Sequence, residues 1–327
     1  MRVGIIGLGN LGTAIGNLIT ANGFNVIGWE HNREVAEEIN NQHTNTQYLP
    51  GIELDSKLTA TTDLSMMTQS CQIIFITIPS VFVKPVLQSQ RDTVHHHTTL
   101  VNLAKGIDKE TGLTSFQTIS VLFPQNPKVM LSGPSIANEF SRRMPTVVVI
   151  AGKNRNDLLK VSHILDNDYF RVRFSEDEVG VELGGILKNI YAIGLGLFDG
   201  RGITSIDFRA VYLTIALEEI TRIGIGMGAR LETFLYLSGI GDLLATSLSE
   251  HSHNRRLGEL LAQGLSLSEI KNKMGVFPEG YNTLKVILYI AEKLHIAMPL
   301  AKGLWDVAHG RYAAENFITD FIKDFVE

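Results

Sequence analysis

The sequence predicts an α/β protein in two parts, a doubly wound parallel sheet over residues 1–175 followed by an all-helical domain over 176–327. Three observations predict it. Short, almost wholly apolar runs at 3–6, 25–29, 73–78, 100–103, 129–132 and 147–151 alternate with helical segments, and strands separated by helices pair in parallel. The runs lack polar alternation, as expected where helices cover both faces of a sheet. After a last short run at 171–174 the β-branched segments stop and apolar residues recur with helical spacing. A chain of 327 residues is long enough for two domains with substantial cores.

The first strand runs into Gly7-Leu8-Gly9-Asn10-Leu11-Gly12, and a helix follows over 11–21. Between a strand and a helix this spacing has a mechanism. The first glycine permits a tight turn, the second lets backbone amides approach a pyrophosphate, and the third lets the helix pack close to the strand. The helix N-terminus then faces the anion. A glycine-rich turn without a ligand is the competing reading, and the position at the first strand favours a dinucleotide in a Rossmann-like domain. Glu30 ends the second strand 18 residues after Gly12. A carboxylate there accepts the ribose 2′-hydroxyl of NAD and repels the 2′-phosphate of NADP. His31 and Arg33 beside it are suited to hold that phosphate, and all three also read as a solvated helix start, so both cofactors stay open.

Lys105 follows the strand at 100–103, and ligand groups in such sheets gather at the carboxyl ends of strands. Ser132-Gly133-Pro134-Ser135 follows the next strand and offers hydroxyls and amides to a phosphate, or caps a helix beginning near Ile136. In the second half, helical spacing covers 179–198, 206–223, 231–237, 257–263, 267–273, 282–294 and 298–309. Lys188, with Asn189 beside it, is one cation in an uncharged stretch from Leu183 to Phe198. A fully buried unpaired lysine is costly, so the readings are an ammonium held in a cleft for proton transfer or a snorkelling surface lysine. Gly239-Ile240-Gly241-Asp242 supplies a carboxylate, and Ser252-His253-Asn254-Arg255-Arg256 a polar cluster suited to phosphate.

Other features are set aside. A net charge of −5 gives no field for nucleic-acid backbones. Cys71 is the single cysteine, which excludes intrachain disulfides, fits a reducing compartment such as the cytoplasm, and reads as a buried structural thiol. His95-His96-His97 reads as a solvated loop with no metal, since adjacent side chains point apart. The uncharged stretches at 3–29 and 64–83 are broken by glycine and polar residues, so no membrane span is expected. The apolar stripes at 211–223 and 286–294 read as core, with Glu218 and Glu219 solvated.

Together these segments resemble the NAD(P)-dependent glycerol-3-phosphate dehydrogenases, which reduce dihydroxyacetone phosphate to sn-glycerol 3-phosphate for phospholipid synthesis. The resemblance spans nearly the whole chain. It rests on the glycine motif with Thr13-Ala14, Ile78-Pro79-Ser80, Ala104-Lys105-Gly106, Ser132-Gly133-Pro134-Ser135-Ile136-Ala137 and, above all, Glu182-Leu183-Gly184-Gly185-Ile186-Leu187-Lys188-Asn189 followed by Asp199-Gly200. Gly241-Asp242-Leu243, Asn254-Arg255-Arg256 and Glu279-Gly280 match in order. The resemblance implies that Lys188 is the catalytic acid/base, with Lys105, Gly133, Ser135, Asp242, Ser252 and Asn254 lining the substrate pocket. Asn10, Leu11, His31, Pro79, Lys105, Ala137, Phe277 and Glu279 would approach NADP or NAD. Two positions depart from the pattern. Leu11 stands where an aromatic residue is usual, and His253 where arginine offers phosphate its planar fork. Arg255 or Arg256 then compensates, or the substrate is another small 2-keto or 3-hydroxy acid, or the chain is a nucleotide-binding paralogue of low turnover. The implied protein is a cytoplasmic enzyme of a small phosphorylated substrate, whose apolar helical half offers a homodimer face.

Overall fold

The computed structural model describes residues 1–249 and 252–324. One compact unit comprises Met1–Lys105 and Leu113–Val181; the other comprises Gly106–Gly112 and the chain from Glu182 onward. The units part in the opening turns of a long helix, whereas the sequence places the change at Ser175, where the strands end.

In the first unit, strands β1 (Arg2–Ile6), β2 (Asn25–Trp29), β3 (Leu58–Thr61), β4 (Ile73–Ile76), β5 (Thr99–Asn102), β6 (Lys128–Ser132), β7 (Thr146–Ala151) and β8 (Phe170–Ser175) form one sheet, ordered β3-β2-β1-β4-β5-β6-β7-β8. Helices α1 (Asn10–Ala21), α2 (Arg33–Gln42), α3 (Leu64–Ser70), α4 (Ser80–Gln88), α5 (Ser115–Leu122), α6 (Ala137–Phe140) and α7 (Arg155–Leu165) connect the strands. Strand β1 pairs in parallel with β2 on one side and β4 on the other, so the strand order reverses there, at the point where open α/β sheets bind their ligands. The apolar runs are explained by two cores. Val3 and Ile5 of β1, with Ile73 and Phe75 of β4, pack with Ile15, Ile19 and Val161, while Ile6, Ile74 and Ile76 pack on the other face with Met67, Val83 and Leu87.

Two expectations are corrected. The sheet is not wholly parallel, because β7 runs antiparallel to β6. The connection between them holds only the four-residue α6, about 6 Å long, and not a helix that spans a strand of about 17 Å, as parallel crossovers usually have. Edge strand β3 escaped the sequence reading because its Leu-Thr-Ala-Thr is short and buries only Leu58.

From Glu182 onward the second unit is helical among its described residues. It contains α8 (Glu178–Gly200), α9 (Ile206–Gly226), α10 (Leu231–Phe234), a π-helical turn (Leu237–Gly241), α11 (Asp242–Leu248), α12 (His253–Ala262), α13 (Leu267–Met274), α14 (Glu279–Lys293), α15 (Pro299–Ala308) and α16 (Ala314–Asp324). Helices α11 and α16 were not anticipated, and the helix expected over 231–237 stops at Phe234, where the chain enters the π turn. Among the described residues α8 is the one helix long and apolar enough to cross a membrane, but 89% of its most apolar window is buried inside the protein. Glu219 is not solvated. It is buried, accepting hydrogen bonds from Tyr191 Oη (2.9 Å) and from the backbone N–H groups of Leu300 (2.6 Å) and Ala301 (3.1 Å) at the start of α15. Burial pushes its carboxyl above the usual glutamate range.

Candidate active site

The glycine turn of the first unit has distinct geometry at each glycine. Gly7 leaves β1 with φ at +101°, a region side chains rarely enter, and a β-carbon on it would lie 2.6 Å from Ile78 Cγ2. A β-carbon on Gly12 would lie 1.9 Å from the Gly7 carbonyl oxygen and 2.6 Å from Thr77 Oγ1, so α1 meets the turn backbone to backbone. At Gly9, by contrast, nothing lies within 4 Å of that position. Contact at the first and third glycines with open space at the second is the shape a pyrophosphate needs. Gly9 is also the N-cap of α1 and supplies no capping side chain, which leaves the amides of the first turn to an anion. The residues present fit a dinucleotide.

Polar side chains hold this turn. Thr77 Oγ1 lies 2.7 Å from the Gly7 carbonyl oxygen, to which it donates. Fully buried Asn45 donates to the Leu8 carbonyl (2.9 Å) and to Thr13 Oγ1 (2.8 Å), while Thr13 itself donates to Leu8 (2.8 Å). Sequence reasoning missed Thr77 and Asn45, which lie outside the motif. Asn10 donates to the Tyr48 carbonyl (2.7 Å) and to Asn138 Oδ1 (3.1 Å), bringing α1 beside α6 and Ala137. Leu11 is half-buried against the core, and Pro79 is the exposed N-cap of α4.

Glu30 is 3% exposed, accepting from Asn32 N–H (3.0 Å) and His31 Nδ1 (2.8 Å), whereas the His31 ring is largely exposed and Arg33 pairs with Glu37. The carboxylate is thus fixed at the end of β2 rather than solvated. Lys105 is partly exposed three residues beyond β5, after a turn in which Asn102 accepts from Ala104 N–H (3.1 Å). Gly133 has φ at +108°, and Ser135 Oγ donates to its carbonyl (3.1 Å); Ser135 does not cap α6, whose N-cap is Ile136. Ser132 Oγ, at the carboxyl end of β6, is buried without a hydrogen-bond partner.

In the second unit, Lys188 is no snorkelling surface residue. Its side chain is 12% exposed, and Nζ donates to Asp242 Oδ1 at 2.5 Å and to Thr246 Oγ1 at 2.7 Å. Asp242 and Thr246 stand one turn apart on α11, so one ammonium reaches both. Thr246 was missed, since a lone threonine carries no sequence signal. The neighbouring Asn189 presents its backbone to Gly280, where a β-carbon would lie 2.2 Å from the Asn189 carbonyl oxygen. Asn254, buried on α12, accepts from Gly280 N–H at 2.9 Å, which fixes the orientation of its carboxamide. Ser252 caps α12, accepting from Arg255 N–H (3.3 Å).

Both halves of the chain match one family. The family description NAD-dependent glycerol-3-phosphate dehydrogenase N-terminus matches residues 2–158, and its C-terminus counterpart matches 177–319. The chain belongs to that family. A glycerol-3-phosphate dehydrogenase (NAD(P)+) of Carboxydothermus hydrogenoformans is 37% identical over 309 residues, covering 94% of this chain and 92% of the relative. That of Bacillus cereus strain AH187 is 38% identical over 309 residues, covering 94% and 91%. The crystal structure of a Coxiella burnetii glycerol-3-phosphate dehydrogenase superposes with a TM-score of 0.92 at 28% identity, covering 98% of both chains. A Ralstonia eutropha ketopantoate reductase shares the fold alone, at 14% identity with a TM-score of 0.60.

In this member of the glycerol-3-phosphate dehydrogenase family, Arg255 is tied into the protein. Its Nε and Nη2 engage Asp199 Oδ2 (2.8 and 2.7 Å), and its Nη1 donates to the carbonyls of Ser247 (3.0 Å) and Ser249 (2.6 Å). Arg209 holds the other oxygen of Asp199 at 2.6 Å. Arg255 therefore braces the end of α11, at Ser247 and Ser249, against Asp199 on α8, and Arg256 pairs with Glu259 on the surface. His253 opens α12 exposed. Phe277 packs against Tyr281 with its ring tilted, at 4.5 Å between ring centres, and Glu279 begins α14.

Proposed function

We propose that the protein reduces dihydroxyacetone phosphate to sn-glycerol 3-phosphate with NADH or NADPH, in the cytoplasm. The observation that carries this reading is the Lys188–Asp242–Thr246 cluster, a sheltered ammonium whose donors are aimed by a carboxylate and a hydroxyl. When bound, the nicotinamide supplies the hydride that adds to C2 of the ketone. Lys188 Nζ gives its proton to the carbonyl oxygen as negative charge develops there, and in the reverse direction the neutral amine takes the hydroxyl proton back. Asp242 favours the protonated lysine before the reaction, and Thr246 fixes its direction. Gly9 and the first amides of α1 receive the dinucleotide phosphates, and Glu30 accepts from a ribose hydroxyl. Ser252 and Asn254 in the helical unit offer polar groups to the substrate, Lys105, Gly133 and Ser135 in the first unit offer theirs, and Arg255 holds the segment carrying Asn254 in place.

The family membership of both halves supports a phosphorylated triose over another 2-keto acid. One cysteine and a soluble cofactor support the cytoplasmic assignment. Homodimerisation through the helical unit is proposed from its exposed apolar side chains, Leu235 and Leu248 among them, and light scattering would test it. The function is tested by adding dihydroxyacetone phosphate to enzyme with NADH or NADPH and following absorbance at the wavelength of the reduced nicotinamide. Oxidation of either cofactor is expected, and no rate at millimolar substrate would overturn the reading.

A further inference from the structure

Gly184 and Lys188 stand four residues apart on α8 and so share a face. Lys188 meets Asp242, the first residue of α11, while Gly184 meets the π-helical turn leading into it. A β-carbon on Gly184 would lie 2.1 Å from the Ser238 carbonyl oxygen, 2.8 Å from its carbon and 3.2 Å from Gly239 N. Helix and turn therefore touch backbone to backbone. The turn has no room to retreat. A β-carbon on Gly239 would lie 2.1 Å from the Phe234 carbonyl oxygen, and the buried Phe234 ring sits where a β-carbon on Gly224 would lie 2.1 Å from Cζ. The wide turn is thus clamped between α8 on one side and α10 with α9 on the other. Such π turns recur at functional sites because they offset the residues that follow.

We propose that Gly184 is a positioning residue for the reaction: its missing side chain sets the depth of the π turn against α8 and thereby the reach from Lys188 Nζ to Asp242. The inference rests on the proposed role of Lys188. A methyl group at 184 needs a carbon–oxygen distance of about 3.2 Å or more, so the turn must move by about 1 Å, taking Asp242 out of hydrogen-bond range.

The test is steady-state kinetics of Gly184→Ala across pH, with cofactor affinity measured alongside. We expect kcat for dihydroxyacetone phosphate reduction to fall about a hundredfold while the dissociation constant for the reduced cofactor holds. The alkaline limb of the profile should move to lower pH, because a lysine that loses its carboxylate partner gives up its proton more readily. Asp242→Glu lengthens the arm by one methylene, and Gly184→Ala/Asp242→Glu should turn over faster than either single variant. Should Gly184→Ala not fold, Phe234→Leu opens space behind the turn and should displace the alkaline limb in the same direction. Wild-type kcat in Gly184→Ala, or additive losses in the double variant, would overturn the positioning role. Turnover by Lys188→Met would overturn the functional reading itself.

Discussion

Lys188→Met separates the chemistry of the lysine from its contribution to stability. The wild-type ammonium is 12% exposed and its carboxylate partner 2% exposed, at 2.5 Å. Deleting one member of such a pair leaves the other charge facing an apolar thioether, at a typical cost of about 3–5 kcal/mol. The partial exposure of Lys188 puts the expectation at the lower end, about 3 kcal/mol. For a unit of this size that corresponds to a fall in melting temperature of roughly 6–12 °C. In Lys188→Met/Asp242→Leu the buried carboxylate is gone as well, and most of the stability should return while turnover stays absent. Scanning calorimetry on the three proteins without ligand, beside activity measured in both reaction directions, reads out both effects. A single variant that melts with the wild type, or a double variant no more stable than the single, would refute the burial argument, and measurable turnover in either would refute the assigned proton transfer.

Three further outcomes follow from the geometry. Glu30→Ser removes the buried carboxylate at the end of β2, so on the proposed role the ratio of kcat/KM for NADPH to that for NADH should rise by about tenfold or more; an unchanged ratio places the ribose elsewhere. His253→Arg should lower KM for dihydroxyacetone phosphate several-fold, since a charged donor at the start of α12 would add about 1.5–3 kcal/mol at full strength and less in its exposed setting; an equal KM removes phosphate from that corner. Burial holds Glu219 above the ordinary glutamate range, so its protonated form is favoured by folding. Its contribution to stability is then complete below about pH 4.3 and declines as pH rises through the elevated folded value. Wild-type stability measured by denaturant titration should decline over that window relative to Glu219→Gln, and parallel pH curves would show that the carboxyl is not perturbed.

The features legible in the sequence are those with a local signature. The β-branched runs mark seven of the strands because their side chains face two apolar cores, and the glycine spacing marks the turn because each glycine answers a different steric demand. Lys188 stood out as a lone cation in an apolar helix. Edge strand β3 and the direction of β7 were hidden, the first because it buries little, the second because direction depends on how the connection folds rather than on the composition of the strand. Thr77, Asn45 and Thr246 were invisible for a shared reason: each acts through a partner between 32 and 70 residues away in the chain, and single-sequence patterns carry no such pairing. Glu219 misled because its neighbour Glu218 does face solvent, pairing with Arg222, and adjacent residues on a helix point in different directions.

Helix α8 is also the meeting line of the helical unit. Beyond Gly184, β-carbons on Gly194, Gly196 and Gly200 would lie 2.0 Å from Tyr212 Oη, 1.9 Å from the Arg255 carbonyl oxygen and 2.7 Å from Ala262 Cβ. Five glycines in its interior cost the isolated segment roughly 4–5 kcal/mol of intrinsic helicity, so it cannot persist as a helix before its neighbours dock. Formation of the backbone that carries the Lys188 amine is then inseparable from assembly of the surrounding bundle. Amide protons along its length should exchange with deuterium only through one cooperative opening, with no locally frayed species in which the lysine has come loose while the remaining helices stay in place.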